Sequence, residues 1–291
     1  MKSLHSRSLG LIFLTLASLP ISAQDSIVAW GRPDEGQCNV PSPNNKFVAI
    51  AGGGLHSLGL KANGKIVAWG SNVVGECNVP GPNSGYVAVA GGWHHNLALK
   101  VDGSLRAWGL NASGQCNIPG PNLGWVGMSA GTDHSLGLKA DGSIVAWGSN
   151  AYGQCNLPVP STGFVAVAAA NTYSLGLKDD GSILAWGDNA FGQLEVPEPN
   201  QDFVAISANG YHGLGLKADH SIVAWGNNGN GQCDVPLPNT DFVAISAGKY
   251  HSMGLKSDGS VVVWGAIHTT PSPNTNYVAV SAGGLHCLGM R

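Results

Sequence analysis

What this sequence lacks bounds it first. Beyond residue 23 no run of about 20 apolar residues is available to span a membrane. No later segment sustains a helical period with caps, so helix content near zero is expected. No GxSxG string is followed by a helix as an elbow requires, there is no HExxH and no phosphate loop, and the GxG-like strings have no helix after them; a non-enzyme with no catalytic residues is expected. A basic excess is missing too: the chain has 14 Lys and Arg against 17 Asp and Glu, and nucleic acid is excluded as a partner for want of a positive face.

What is present begins with a leader. Lys2 and Arg7 precede an apolar run over Leu9–Leu19, and Ile21-Ser22-Ala23 supplies small residues for cleavage before Gln24. Residues 1–23 read as a secretory signal peptide and 24–291 as the mature protein, secreted or periplasmic. Without Lys2 and Arg7 the formal charge falls from −3 to −5.

The rest is one unit written seven times. Trp-Gly pairs recur every 39 residues, at Trp30, Trp69, Trp108, Trp147, Trp186, Trp225 and Trp264. Each unit holds an apolar strand such as FVAVA, a variable pair, HSLGLK, a DGS turn, IVAWG, an NxxGQ loop and a CNVPxPN link. Asp-Gly predicts a tight hairpin with positive φ at both central residues, and Asp219-His220 is the copy that loses the glycine. The proline pairs predict extended, non-pairing links. The recurring lysines, Lys61 to Lys256, read as solvated strand ends.

The N-terminal side begins in mid-unit and the C-terminal side stops after HCLGMR, so each end supplies what the other lacks. A blade made of residues 277–291 and about 24–40 would cover both edges. The expected fold is an all-β, closed seven-bladed β-propeller, monomeric, its final blade completed by both chain ends. Gly and Ala belong near the axis, and the seven Trp side chains are expected buried where blades diverge.

The string GxxHSLxLKxDGSxxAWGxNxxGQ, as in Gly131–Gln154, resembles the repeat of the regulator of chromosome condensation family. The short period, the VPxP link and the leader bring it nearer in style to secreted bacterial propellers such as the β-lactamase inhibitor type. The resemblance implies a seven-bladed propeller; its members serve as exchange factors, inhibitors and binding platforms, so it leaves the activity open.

Six histidines share one repeat position, His56, His95, His134, His212, His251 and His286, with Tyr173 in the fourth copy. On separate blades they cannot converge on one ion, so no metal or other cofactor is expected, and each ring should hydrogen-bond a neighbouring loop or blade. Cys38, Cys77, Cys116, Cys155 and Cys233 also share a position, with Leu194 standing in once, which predicts free, buried thiols.

Chain direction puts the GxxH and NxxGQ loops on one face and the turns and links on the other. The second face repeats; the first varies, and carries Trp93, Tyr152, Phe191, Tyr211 and Tyr250 on five consecutive blades. Rigid loops bearing Trp and Tyr have the composition of a protein hot spot. The expected partner-binding set is Trp93, His94, Tyr152, Phe191, Tyr211, Lys249 and Tyr250. A secreted protein-binding module is the leading reading, with inhibition as one form of it; a carbohydrate or cell-wall binding module is the alternative.

Overall fold

The computed structural model describes residues 25–291, so the expected leader lies outside the described residues. Strand β1 (Ile27–Gly31) comes first. Blade one then runs through β2 (Phe47–Gly52), β3 (His56–Lys61) and β4 (Ile66–Gly70), and blade two through β5 (Tyr86–Gly91), β6 (His95–Lys100) and β7 (Leu105–Gly109). Blade three is β8 (Trp125–Ala130), β9 (His134–Lys139) and β10 (Ile144–Gly148); blade four is β11 (Phe164–Ala169), β12 (Tyr173–Lys178) and β13 (Ile183–Gly187). Blade five is β14 (Phe203–Asn209), β15 (His212–Lys217) and β16 (Ile222–Gly226); blade six is β17 (Phe242–Ala247), β18 (His251–Lys256) and β19 (Val261–Gly265).

Blade seven has only β20 (Ala279–Ala282) and β21 (His286–Met290) of its own. Its third strand is β1, paired antiparallel from Ile27 opposite Met290 to Gly31 opposite His286. This closes the ring, and all seven sheets are three-stranded antiparallel meanders.

The core lies between blades. Leu58 and Leu60 of blade one pack with Tyr86 and Trp108 of blade two, and the same arrangement recurs round the ring. Each C-terminal-strand indole donates to the loop of the blade before it, as Trp69 Nε1 to the Gln37 carbonyl and Trp147 Nε1 to the Gln115 carbonyl, both 2.8 Å. The expected ring of seven buried tryptophans holds for six. Trp30 is only half-buried, because the shortened link before blade seven has no NxxGQ loop to cover it, and its indole donates instead to the Thr269 carbonyl at 3.0 Å.

A polar girdle ties each blade to the next. His286 Nε2 lies 2.9 Å from Ser57 Oγ, His95 from Ser135, His134 from Ser174 and His212 from Ser252, while His56 meets Asn96 Oδ1 at 2.6 Å. Each of these serines donates onward to a Gln carbonyl, so the imidazole Nε2–H is the donor; with Nδ1 buried and without a partner to receive a proton, the ring is neutral. His251 meets Cys287 Sγ at 3.3 Å, Cys standing where the repeat has Ser.

Four local expectations are corrected. In the hairpins only the second central residue has positive φ, Gly103 at 76° and His220 at 68°, while the Asp folds a side-chain turn, Asp102 Oδ1 accepting from Ser104 N–H and Oγ. The proline links turn at a cis peptide before the second proline, and the Asn that follows clasps the outer strand: Asn83 accepts from Ile66 N–H and donates to its carbonyl, both 2.8 Å. The lysines are not merely solvated: Lys61 Nζ sits 3.7 Å from the Phe47 ring centre and donates to the Pro43 carbonyl. All six cysteines are free, but only Cys287 is buried; the repeated thiols are half-exposed and hydrogen-bond a carbonyl, as Cys155 to Ser149 at 3.2 Å.

Candidate functional site

The face bearing the GxxH and NxxGQ loops is built by a division of labour within each variable pair. The first residue faces the axis. Trp93 of blade two lies against Gly54 of blade one and Gly284 of blade seven, where an added Cβ would come within 2.9 and 2.8 Å of indole carbons. Lys249 of blade six places its ammonium 4.0 Å from the centre of the Trp93 ring and 5.2 Å from that of Tyr250. Thr132 Oγ1 donates to Asn171 Oδ1 at 2.6 Å between blades three and four. A large ring at one first position is therefore accommodated by glycines at two others, and Trp93 bridges the mouth of the ring.

In blades two, three and five the second residue of the pair faces the loop of the preceding blade, while Thr172 of blade four donates to Asp188 in its own blade's loop at 3.1 Å. His94 Nδ1–H donates to Glu76 Oε1 at 3.0 Å, Gln115 Nε2 donates to Asp133 Oδ1 at 3.3 Å, and Tyr211 packs on Phe191 with ring centres 4.9 Å apart. The buried Glu76 stands where five other copies have Gln. Burial opposes its ionisation, but hydrogen bonds from its own backbone, from His94 and from Val74 prevail and hold it below the usual carboxylate range.

Thus the structure brings Trp93, His94, Lys249 and Tyr250 into one cluster at the mouth and Phe191 with Tyr211 into a second. Tyr152 stands apart, 57% exposed, and Phe191 is 48% exposed. Sequence reasoning missed Glu76, Gly54 and Gly284. A signal for Glu76 existed, since the one copy with Glu precedes the one copy with a His at the second variable position. Among the described residues no group of three or more His, Cys, Asp or Glu is placed to hold a metal ion.

Comparison with known proteins agrees with this architecture. The chain is similar in structure to Prp20p from Saccharomyces cerevisiae, with a TM-score of 0.76 at 19% identity over 93% of this chain and 92% of that one. It is also similar to human WBSCR16 (TM-score 0.72, 17% identity, 91% and 98% covered) and to the CRINKLY ectodomain of the Arabidopsis thaliana receptor kinase ACR4 (0.65, 24%, 82% and 90%). No curated protein matches the sequence. The regulator of chromosome condensation (RCC1) repeat matches residues 47–76, 86–115, 125–154, 164–193, 203–232 and 242–266, leaving only the split seventh unit without a match. With more than half its length so matched, the chain belongs to the family built from the regulator of chromosome condensation repeat.

Proposed function

We propose that this chain is an exported, non-enzymatic module that holds one protein partner on its variable face, inhibiting that partner where the footprint covers a working site. The reading rests on one observation: seven near-identical blades present a face whose loop pairs take six different forms, only Gly54-Leu55 and Gly284-Leu285 being alike, with aromatic rings on five blades in succession. A repeated ligand would favour a repeated site; a single continuous protein footprint favours this variation. One solved relative lends a general precedent, since Prp20p is described with binding to Gsp1p and histones and, as yeast RCC1, with Kap60 bound. Exposed Tyr152, standing alone, is what supports the second reading, a platform for stacking on sugars.

The test is affinity capture from the extracellular proteins of the source, run beside a glycan array. The Phe191→Ala/Tyr211→Ala variant should lose at least about 30-fold in affinity for the captured protein, as removal of a packed aromatic pair at a hot spot does. Capture undiminished in a Trp93→Ala/Tyr211→Ala/Tyr250→Ala variant would refute the face assignment, and saturable glycan binding lost with Tyr152→Ala would favour the second reading.

A further inference from the structure

On the opposite face the units repeat closely, and one cavity there brings several departures from the commoner repeat together. The third residue of the first strand is Ala in six units and Gly127 in the third; the next is Ile or Val in six and Met128 in the third. Asp179 of the fourth unit stands where others have Ala, Val or Ser, and Asp202 of the fifth at a position that is Gly in three units, Asp again in the sixth (Asp241), and Lys46 or Asn276 in the others. Gly127, Met128, Asp179 and Asp202 line a single cavity of about 1000 Å³ that opens among the Asp-Gly turns of blades three and four, on the side away from Trp93.

Its walls are apolar, with Val126, Val165 and Met128 among them. A Cβ added at Gly127 would meet only the Leu138 side chain, at 3.3 Å, so the missing methyl enlarges the space and leaves no clash behind. Its rim is acidic. Asp141 and Asp180 are held as acceptors by Ser143 and Ser182, whose hydrogen bonds keep both carboxyls below their ordinary range. The cations at the rim are already committed: Lys139 and Lys178 lie 3.4 and 3.9 Å over the Trp125 and Phe164 rings and donate to backbone carbonyls. Neither Asp179 nor Asp202 is in a close ion pair, and at the rim the four carboxylates of Asp141, Asp179, Asp180 and Asp202 outnumber the two ammoniums of Lys139 and Lys178, leaving a net negative charge.

We propose that this funnel binds an amphiphilic cation, a small molecule with an apolar body for the valine wall and an ammonium head for the Asp179 and Asp202 carboxylates. A pocket of this volume suits such a ligand, and the uncompensated rim selects the sign of its charge.

Three probes with one tail and different heads test it on the full chain: octyltrimethylammonium, octyl sulfate and octyl glucoside, titrated calorimetrically and by methyl NMR. Octyltrimethylammonium should bind saturably, at least about tenfold tighter than the other two, and more weakly as salt rises. Asp179→Asn/Asp202→Asn should erase that preference while leaving the fold intact. Gly127→Leu, which fills the space, should abolish binding; independently of its folding, contacts from the tail to the Met128 and Val126 methyl groups of the unaltered protein should place the ligand. Equal binding of the three probes, no binding of the ammonium, or tail contacts away from those methyl groups would overturn the proposal.

Discussion

Lowering the pH from 7.5 to 4 is expected to unfold the whole ring in one steep transition. Burial is the main cause that pushes the girdle histidines down, to about 4 at His134 and His212 and about 3 at His95, His251 and His286, with His56 also lowered. The sign follows from which state takes up protons. Between the unfolded value of 6.5 and the folded values of about 3 to 4, the unfolded chain binds protons that the native ring refuses, so stability is intact above 6.5 and lost as pH falls.

At pH 5 each of the five histidines held at about 3 to 4 costs about 2 kcal/mol, and the five together about 10 kcal/mol, comparable with the ~5–15 kcal/mol that holds a typical domain folded. Near-UV circular dichroism approached from both pH directions should show a midpoint near pH 5 with proton uptake approaching one per girdle histidine. Retention of the native signal at pH 4 would mean that the rings accept protons in place. His134→Gln should shallow the transition, because one proton-binding site is gone from the unfolded chain.

The second large effect lies where the girdle is rebuilt. In the fourth unit Tyr173 replaces His, and in the fifth Gly213 replaces the Ser that would have met it. The fully buried phenol donates to the His212 carbonyl instead, and the Trp225 indole fills the space above Gly213, where a Cβ would lie 2.6 Å from its carbons. Tyr173→His alone should cost about 2–4 kcal/mol, from the volume lost and from an imidazole N–H with no acceptor. Gly213→Ser alone should cost about 1–3 kcal/mol by overpacking. Made together they restore the girdle pair of the other units, so the double variant should be milder than the sum by about 1–3 kcal/mol in denaturant melts. Strict additivity would show that the two positions are not coupled.

That pair also shows what the sequence could and could not tell. The 39-residue period and the hairpins were legible because each signal is local and written many times over, and closure by β1 because the two chain ends carry complementary parts of one repeat. The partner of each histidine was not, since it lies 40 residues on in the next blade, although the joint change at Tyr173 and Gly213 carried the information. The same limit explains the Asn83 clasp and the Lys61–Phe47 contact, which join segments that only the folded blade brings together. At the site, the aromatic residues and the face they occupy were readable from loop variation. Their grouping was not: Lys249 of blade six reaches Trp93 of blade two across the mouth of the ring, and only the dimensions of the ring decide that meeting.

Closure is the claim on which both faces depend, and amide hydrogen exchange tests it most directly. If β1 completes blade seven, the amides of Ile27–Gly31 share protection with those of His286–Met290 and exchange only when the ring opens as a whole. Exchange of Ile27–Gly31 at free-chain rates, while β21 stays protected, would contradict it.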